Sequence, residues 1–292
     1  MIHPQLQQLI NLGLLLLLGK YAAHIYLPWE HILLVLFATI LIEHLILYVK
    51  EKKITFFSFS SLSTAIGVML MMVTPHVWIT ILLIAFGLFQ KHFLTWKGEH
   101  FFNPSNFALM TGLLFFYDDA HIVLGQLGDS VWLGIVVSLL AASILYRVDR
   151  WVIPVSFSVM YLLLQYFFLV KSDPVLIMEI VYYRFYSVSF IVFILFMLTD
   201  PKTTPKMHWQ QLLFTALIAL GATLLDYYNG FRVQHLFMAL FASAAMVPLC
   251  VHWQDVDQRK ILIGMSSAML LLALSAIIYI EMQPPYYFEM NG

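Results

Sequence analysis

Long apolar stretches separated by short polar turns follow one another along the whole chain. Cut at charges, prolines and asparagines, they give eleven segments, near 8–27, 31–49, 58–74, 77–95, 103–117, 130–148, 152–170, 179–199, 209–228, 233–252 and 261–280. A helix crossing the hydrocarbon of a bilayer needs about 20 mostly apolar residues. The pattern therefore predicts an all-α, polytopic transmembrane helix bundle of about ten or eleven spans. The 58–74 and 103–117 segments are shorter and open on polar residues, which suits helices buried in protein rather than facing lipid. No linker divides the chain, so residues 1–292 read as one transmembrane domain.

Composition strengthens this reading. Of 292 residues, 62% are hydrophobic and 11% charged, against roughly 25% charged in an ordinary soluble domain. The net charge of −1 gives no field for nucleic acid. Cys250 is the single cysteine, which excludes an internal disulfide, thiolate-bound zinc and an iron–sulfur cluster on this chain's own cysteines; no metal site is read. The apolar run Leu9 to Leu18 lacks a small-residue cleavage site and reads as a first span rather than a cleaved signal.

Charge placement orients the bundle. With eleven spans, one side receives eleven of the fifteen Lys and Arg residues, among them Lys50, Lys52, Lys53, Arg147, Lys202 and Lys260. The other side receives Asp118, Asp119, Asp129, Glu281 and Glu289. An excess of Lys and Arg marks the cytoplasmic face. A multi-pass protein of a bacterial inner membrane, N-terminus cytoplasmic and C-terminus external, is the expectation.

Three polar motifs fall on that cytoplasmic side: Ser58 to Thr64, Phe102–Asn103–Pro104–Ser105–Asn106, and Thr199 to Pro205. Asn103 is a natural N-cap and Pro104 a natural first helical residue. Two helix starts present unpaired N–H groups and positive dipole ends beside hydroxyls and amides, a setting for an anion or polar headgroup. The plain reading is that these residues only cap helices. If they share one pocket, Ser61, Ser63, Thr64, Asn103 and Asn106 line it, Asp200 closes it, and the helix ends hold Asp200 ionised. Glu43, inside the second segment, is an ion-pathway candidate because a buried charge in a membrane is costly; a structural pair with a nearby cation is its alternative. Arg184 and Asp226 fall near segment ends and read as interfacial. His44, His92, His235 and His252 lie in or near spans, where paired imidazoles could hold a haem between two helices, although no two histidines on one helix carry the spacing that brackets two haems; soluble-enzyme signatures are absent.

The order of features from about Glu43 to Met110 resembles that of RnfD and NqrB, membrane subunits of ion-translocating, flavin-containing electron-transport complexes. An intramembrane Glu43 and a basic turn precede the Ser61–Ser63–Thr64 helix start and Thr74–Pro75; Lys91–His92 and Phe102–Asn103–Pro104 follow. Thr199–Asp200–Pro201 recurs in the second half. The resemblance implies two inverted five-helix halves, about 1–128 and 129–292, a fold shared with urea-transporter-like channels. It also implies a role in moving electrons between flavins, coupled to Na⁺ or H⁺ movement, beside other membrane or periplasmic subunits. The family's covalent FMN sits on a Thr outside the membrane, whereas the loop Tyr117 to Ser130 has no Thr, and Gly221–Ala222–Thr223 lies inside a span. Covalent FMN is therefore not expected, and a non-covalent flavin is the cofactor reading left open. The chain looks like the shorter RnfD-like, UnbU-type members. A transporter or channel for a small polar solute, and a membrane scaffold for a partner protein, are the competing readings; no catalytic residue is assigned.

Overall fold

The computed structural model describes residues 3–52, 58–172, 177–252 and 257–284. Of the charges that oriented the bundle, Lys53 and Glu289 lie outside these residues. Every one of the eleven apolar segments is helical. The first half holds α1 (Pro4–Tyr21), α2 (Trp29–Glu51), α3 (Phe59–Met71), α4 (Val77–Phe93) and α5 (Pro104–Phe115). The second holds α6 (Val131–Val148), α7 (Val152–Gln165, continued by a π-turn Tyr166–Val170), α8 (Met178–Tyr186) and α9 (Val188–Val192, continued by a π-turn Phe193–Met197). It closes with α10 (His208–Asn229), α11 (Gln234–Ala244), the short α12 (Val247–Val251) and α13 (Arg259–Glu281). Sheet among the described residues is limited to two-residue strands: β1 (Met72–Val73) pairs with β4 (His121–Ile122), and β2 (Thr95–Trp96) with β3 (Glu99–His100).

Among the described residues, five helices are long and apolar enough to cross a membrane, namely α2, α6, α7 with its π-turn, α10 and α13. The pair α8–α9, bent by 71°, makes a sixth if it counts as one span. That is fewer full crossings than eleven segments suggest, and for two of the segments the reason is their length. At about 1.5 Å per residue, α3 and α5 are about 20 and 18 Å long, with 13 and 12 residues, against about 30 Å of hydrocarbon. Both are almost wholly buried in protein, as polar-headed helices must be where lipid offers no hydrogen-bond partner.

The bundle has two ends. At the near end, where α1 starts, Gln7 bonds Ser143 and Arg147 at the finish of α6. The finish of α2, the start of α3 and the finish of α9 lie at the same end, joined by contacts described below. At the far end, Ser187 before α9 bonds Leu124 O in the loop after α5, and Val188 N donates to Gly128 O at 3.0 Å. The packing of the halves runs in parallel: α1 on α3 and α6 on α9, α2 on α4 and α7 on α10, α4 on α5 and α10 on α11. α13 packs on α11, α12 and α5, outside these pairs.

Candidate functional site

The first element of the site is a helix cap. Asn103 Oδ1 accepts from the Ser105 and Asn106 amides at 2.9 and 3.1 Å, which satisfies two of the N–H groups that α5 leaves open. Its Nδ2 faces the other way and donates to Met197 O and to Asp200 Oδ2, both at 3.3 Å. One side chain thus fixes the start of a first-half helix to the end of a second-half one. Asp200 turns the chain after α9: its Oδ1 accepts from the Lys202 amide at 3.1 Å and its carbonyl accepts the Thr204 hydroxyl at 2.8 Å.

Close helix approach holds the cap in place. A Cβ on Gly87 of α4 would stand 2.5 Å from Pro104 O, so no larger residue lets α4 meet the start of α5 at this distance. Ser105 Oγ donates to Thr64 O at 3.2 Å and ties α5 to α3.

Between α1, α3, the start of α5 and the Asp200 turn lies a cavity of ≈ 80 Å³, reached by Ser63, Thr64, Asn103 and Asp200 and by Gln8 and His100. Ser63 and Thr64 return their hydroxyl protons to their own helix, at Phe59 O and Ser60 O, 3.0 Å each, and so offer the cavity lone pairs. Burial, reinforced by Lys202, Lys91 and His92, pushes His100 down to about 3, so it is a neutral imidazole. Burial pushes the Asp200 carboxyl up, against the pull of the Lys202 amide and the charges of Lys202, Lys91 and Arg150. This direction is opposite to the one the helix ends alone would give, because desolvation acts on the carboxyl as well.

Four of the expected site residues thus share one cavity: Ser63, Thr64, Asn103 and Asp200. Ser61 and Glu43 belong to a neighbouring buried cluster. Glu43 Oε1 meets Lys91 Nζ at 3.1 Å, His92 Nε2 at 3.2 Å and Ser58 Oγ at 2.9 Å, and Ser58 Oγ meets Ser61 Oγ at 2.7 Å. Glu43 Oε2 is buried and has no hydrogen-bond partner. Asn106 faces the second half instead, where Nδ2 donates to Phe237 O of α11 at 3.2 Å.

Arg184 and Asp226 are buried within the protein and meet each other. They are 7% and 2% exposed and paired at 3.1 Å at the far end. The bend at Ser187 turns Arg184 inward from α8. Gly230, at φ +83° in the left-handed half of the map, turns the chain so that the Arg232 amide reaches Asp226 Oδ1 at 3.1 Å. Charges set in long apolar runs were the sequence signal for this cluster; the pairing itself, across 42 residues, leaves no local mark.

The near-end residues do not fit a flavin. Pockets for such ligands run to about 300–1,000 Å³, and this cavity is ≈ 80 Å³, the size for a few waters or a small ion. A second cavity of ≈ 700 Å³ opens at the far end between α2, α4 and the loop after α5, where Thr74, Thr80, His31, Asp118, Asp119 and Gln126 reach it.

The sequence model of the NQR2, RnfD, RnfE family matches residues 115–261. The match begins where the Glu43 to Met110 resemblance ends, and it includes Thr199–Asp200–Pro201. A search of curated proteins returns no match.

Proposed function

The chain belongs to the NQR2, RnfD, RnfE family, and from that premise we propose that it is a membrane subunit of an electron-transport assembly coupled to ion movement. We assign its near-end cavity to a small cation or a proton rather than to a flavin. Asp200 supplies the charge and Asn103 fixes its position. Ser63 and Thr64 add hydroxyl oxygens, and Glu43 stands behind them in its own ion pair. The contact that carries this reading is Asn103 Nδ2 to Asp200 Oδ2 at 3.3 Å, because it joins the two halves at the rim of the cavity. In folds built from inverted repeats, binding sites sit at the interface of the halves. The parallel packing of α1–α5 and α6–α11 supports such a repeat, with halves of about 1–128 and 129–292.

The Lys and Arg asymmetry supports a near end that faces the cytoplasm of a bacterial inner membrane, with the C-terminus outside and partner subunits in the membrane or periplasm. The test is Asp200→Asn in the intact assembly. Ion-dependent electron transport should fall at least tenfold with the subunit present at its normal level. Unchanged transport overturns the assignment. The water-sized cavity also favours a second reading, a channel or transporter for a small polar solute. Solute flux into vesicles that hold this chain alone, lost in Asp200→Asn, would support it over the first.

A further inference from the structure

A second buried cluster plays no part in the near-end reading. Asp226 of α10 lies at its centre. Its Oδ2 accepts from Arg184 Nη1 at 3.1 Å, Gln165 Nε2 at 2.9 Å and the Tyr161 hydroxyl at 3.4 Å. Its Oδ1 accepts from the Arg232 amide and faces His235 Nδ1 at 2.8 Å. The Arg184 guanidinium lies 3.4 Å from the centre of the Phe231 ring and also bonds the Tyr161 hydroxyl. This side of the cluster is saturated with donors.

The other side is not. His235 is wholly buried, and its Nε2 closes no hydrogen bond. That nitrogen stands 3.3 Å from Glu281 Oε1 at the end of α13. Glu281 is held in turn by Gln234 Nε2 at 2.8 Å and Arg232 Nη1 at 3.3 Å. Tyr117 and Asp118, from the loop after α5, complete the charged surroundings of Arg232 and Glu281.

A neutral imidazole has one N–H and one lone pair. With the proton on Nδ1, the Nε2 lone pair faces a carboxylate oxygen; with the proton on Nε2, the Nδ1 lone pair faces Asp226. Either tautomer sets two electron-rich atoms against each other where little water can screen them. A ring carrying both protons meets a carboxylate on each side. We propose that Asp226, His235 and Glu281 form a buried proton-binding site, completed by the C-terminal helix, in which His235 holds a proton between the two carboxylates. The two arginines balance the two carboxylates, so the charge that enters and leaves is the proton. On its release, His235 and Glu281 repel, Glu281 keeps Gln234 and Arg232 alone, and the end of α13 loosens. The site stands independently of the near-end assignment.

The test is nitrogen NMR of the full-length chain in lipid nanodiscs, with the histidine rings labelled. At about pH 7.5 an unperturbed imidazole, of pKa about 6.5, is about nine-tenths neutral. His235, identified by the signal lost in His235→Gln, should instead show two protonated ring nitrogens, and Glu281→Gln should reduce that to one. If His235→Gln does not fold, the signal that changes in the isosteric Glu281→Gln identifies the ring. A wild-type His235 with one bare nitrogen overturns the proposal, as does a doubly protonated ring that Glu281→Gln leaves unchanged.

Discussion

The two buried charge clusters solve the same problem to different degrees. At the near end, one carboxylate, Glu43, meets Lys91, His92 and Ser58 through a single oxygen, and its second oxygen has no partner. At the far end, Asp226 has partners on both oxygens, drawn from α7, α8, α11 and the turn between α10 and α11. An unmade hydrogen bond on a buried charge costs more than a made one contributes. The Glu43 carboxylate is therefore held loosely, next to a cavity that can take an ion, whereas the Asp226 carboxylate is held on both oxygens and locks helices together, with Arg184 Nη2, Gln165 Oε1 and His235 Nε2 left open around it. The difference predicts unequal responses to the same kind of substitution.

The largest effect belongs to Asp226→Asn. It leaves Arg184 buried without a counter-charge, and breaking a buried pair from one side costs about 3–5 kcal/mol. Thermal unfolding in detergent should show a larger loss than Glu43→Gln, His100→Asn or Asp200→Asn produces, with folded protein recovered poorly. An Asp226→Asn protein as stable as wild type would break the claim that the far cluster is the lock.

Glu43→Gln sharpens the contrast. Lys91 loses its ion pair but keeps Ser58 Oγ at 3.2 Å, and the partnerless Oε2 had nothing to lose. Both variants strand a buried cation, but Lys91 can give up its proton and the Arg184 guanidinium cannot, so the loss should be smaller than for Asp226→Asn in the same unfolding measurement. The reverse order would show that the near cluster is the tighter one.

The difference in closure also explains what could be read from sequence. Nine of the eleven apolar runs each fall on one helix within a few residues, as with 209–228 against His208–Asn229, because lipid-compatible length and apolarity are local properties; 179–199 and 233–252 are each broken into two helices. The Asn103–Pro104 start was legible for the same reason, since cap chemistry is written in adjacent residues. What could not be read was pairing. That Asn103 looks back to Asp200 rests on 97 residues of intervening chain. That Arg184 turns inward rests on a bend at Ser187 and on π-turns that leave no periodic signature. Ser61 and Asn106 show the limit inside each motif: Ser61 shares one with Ser63 and Asn106 another with Asn103, yet they turn to Ser58 and to α11 instead.

His100 gives the near end a pH response. Its folded value of about 3 lies below the ordinary 6.5, so between these values the unfolded chain binds more protons than the folded one. Stability then rises with pH across this window and is lost as pH falls below about 6.5, with a slope of up to about 1.4 kcal/mol per pH unit. Unfolding temperatures measured from pH 7 down to pH 4 should fall more steeply for wild type than for His100→Asn. Equal slopes would place the acid sensitivity elsewhere.

The smallest stability effect is expected at Asp200, and its smallness is the informative part. Burial raises the Asp200 carboxyl above its ordinary 3.8. Between 3.8 and the raised value the folded state binds more protons than the unfolded state, so stability falls as pH rises through that window and stays at the lower level above it. An ionised Asp200 at neutral pH is thus a burden on the fold rather than a support. Asp200→Asn removes that burden and keeps an oxygen for the Lys202 amide, but it sets an NH2 against the Asn103 NH2; the two effects oppose each other, so the variant should unfold close to the wild-type temperature at about pH 7. If Asp200 were only a cap of the turn after α9, the change would cost about 0.5–2 kcal/mol, as losing a capping side chain does. If it holds an ion, stability survives and ion-dependent electron transport does not. Measuring both quantities on one preparation separates the two roles, because a cap loses stability first and an ion site loses function alone.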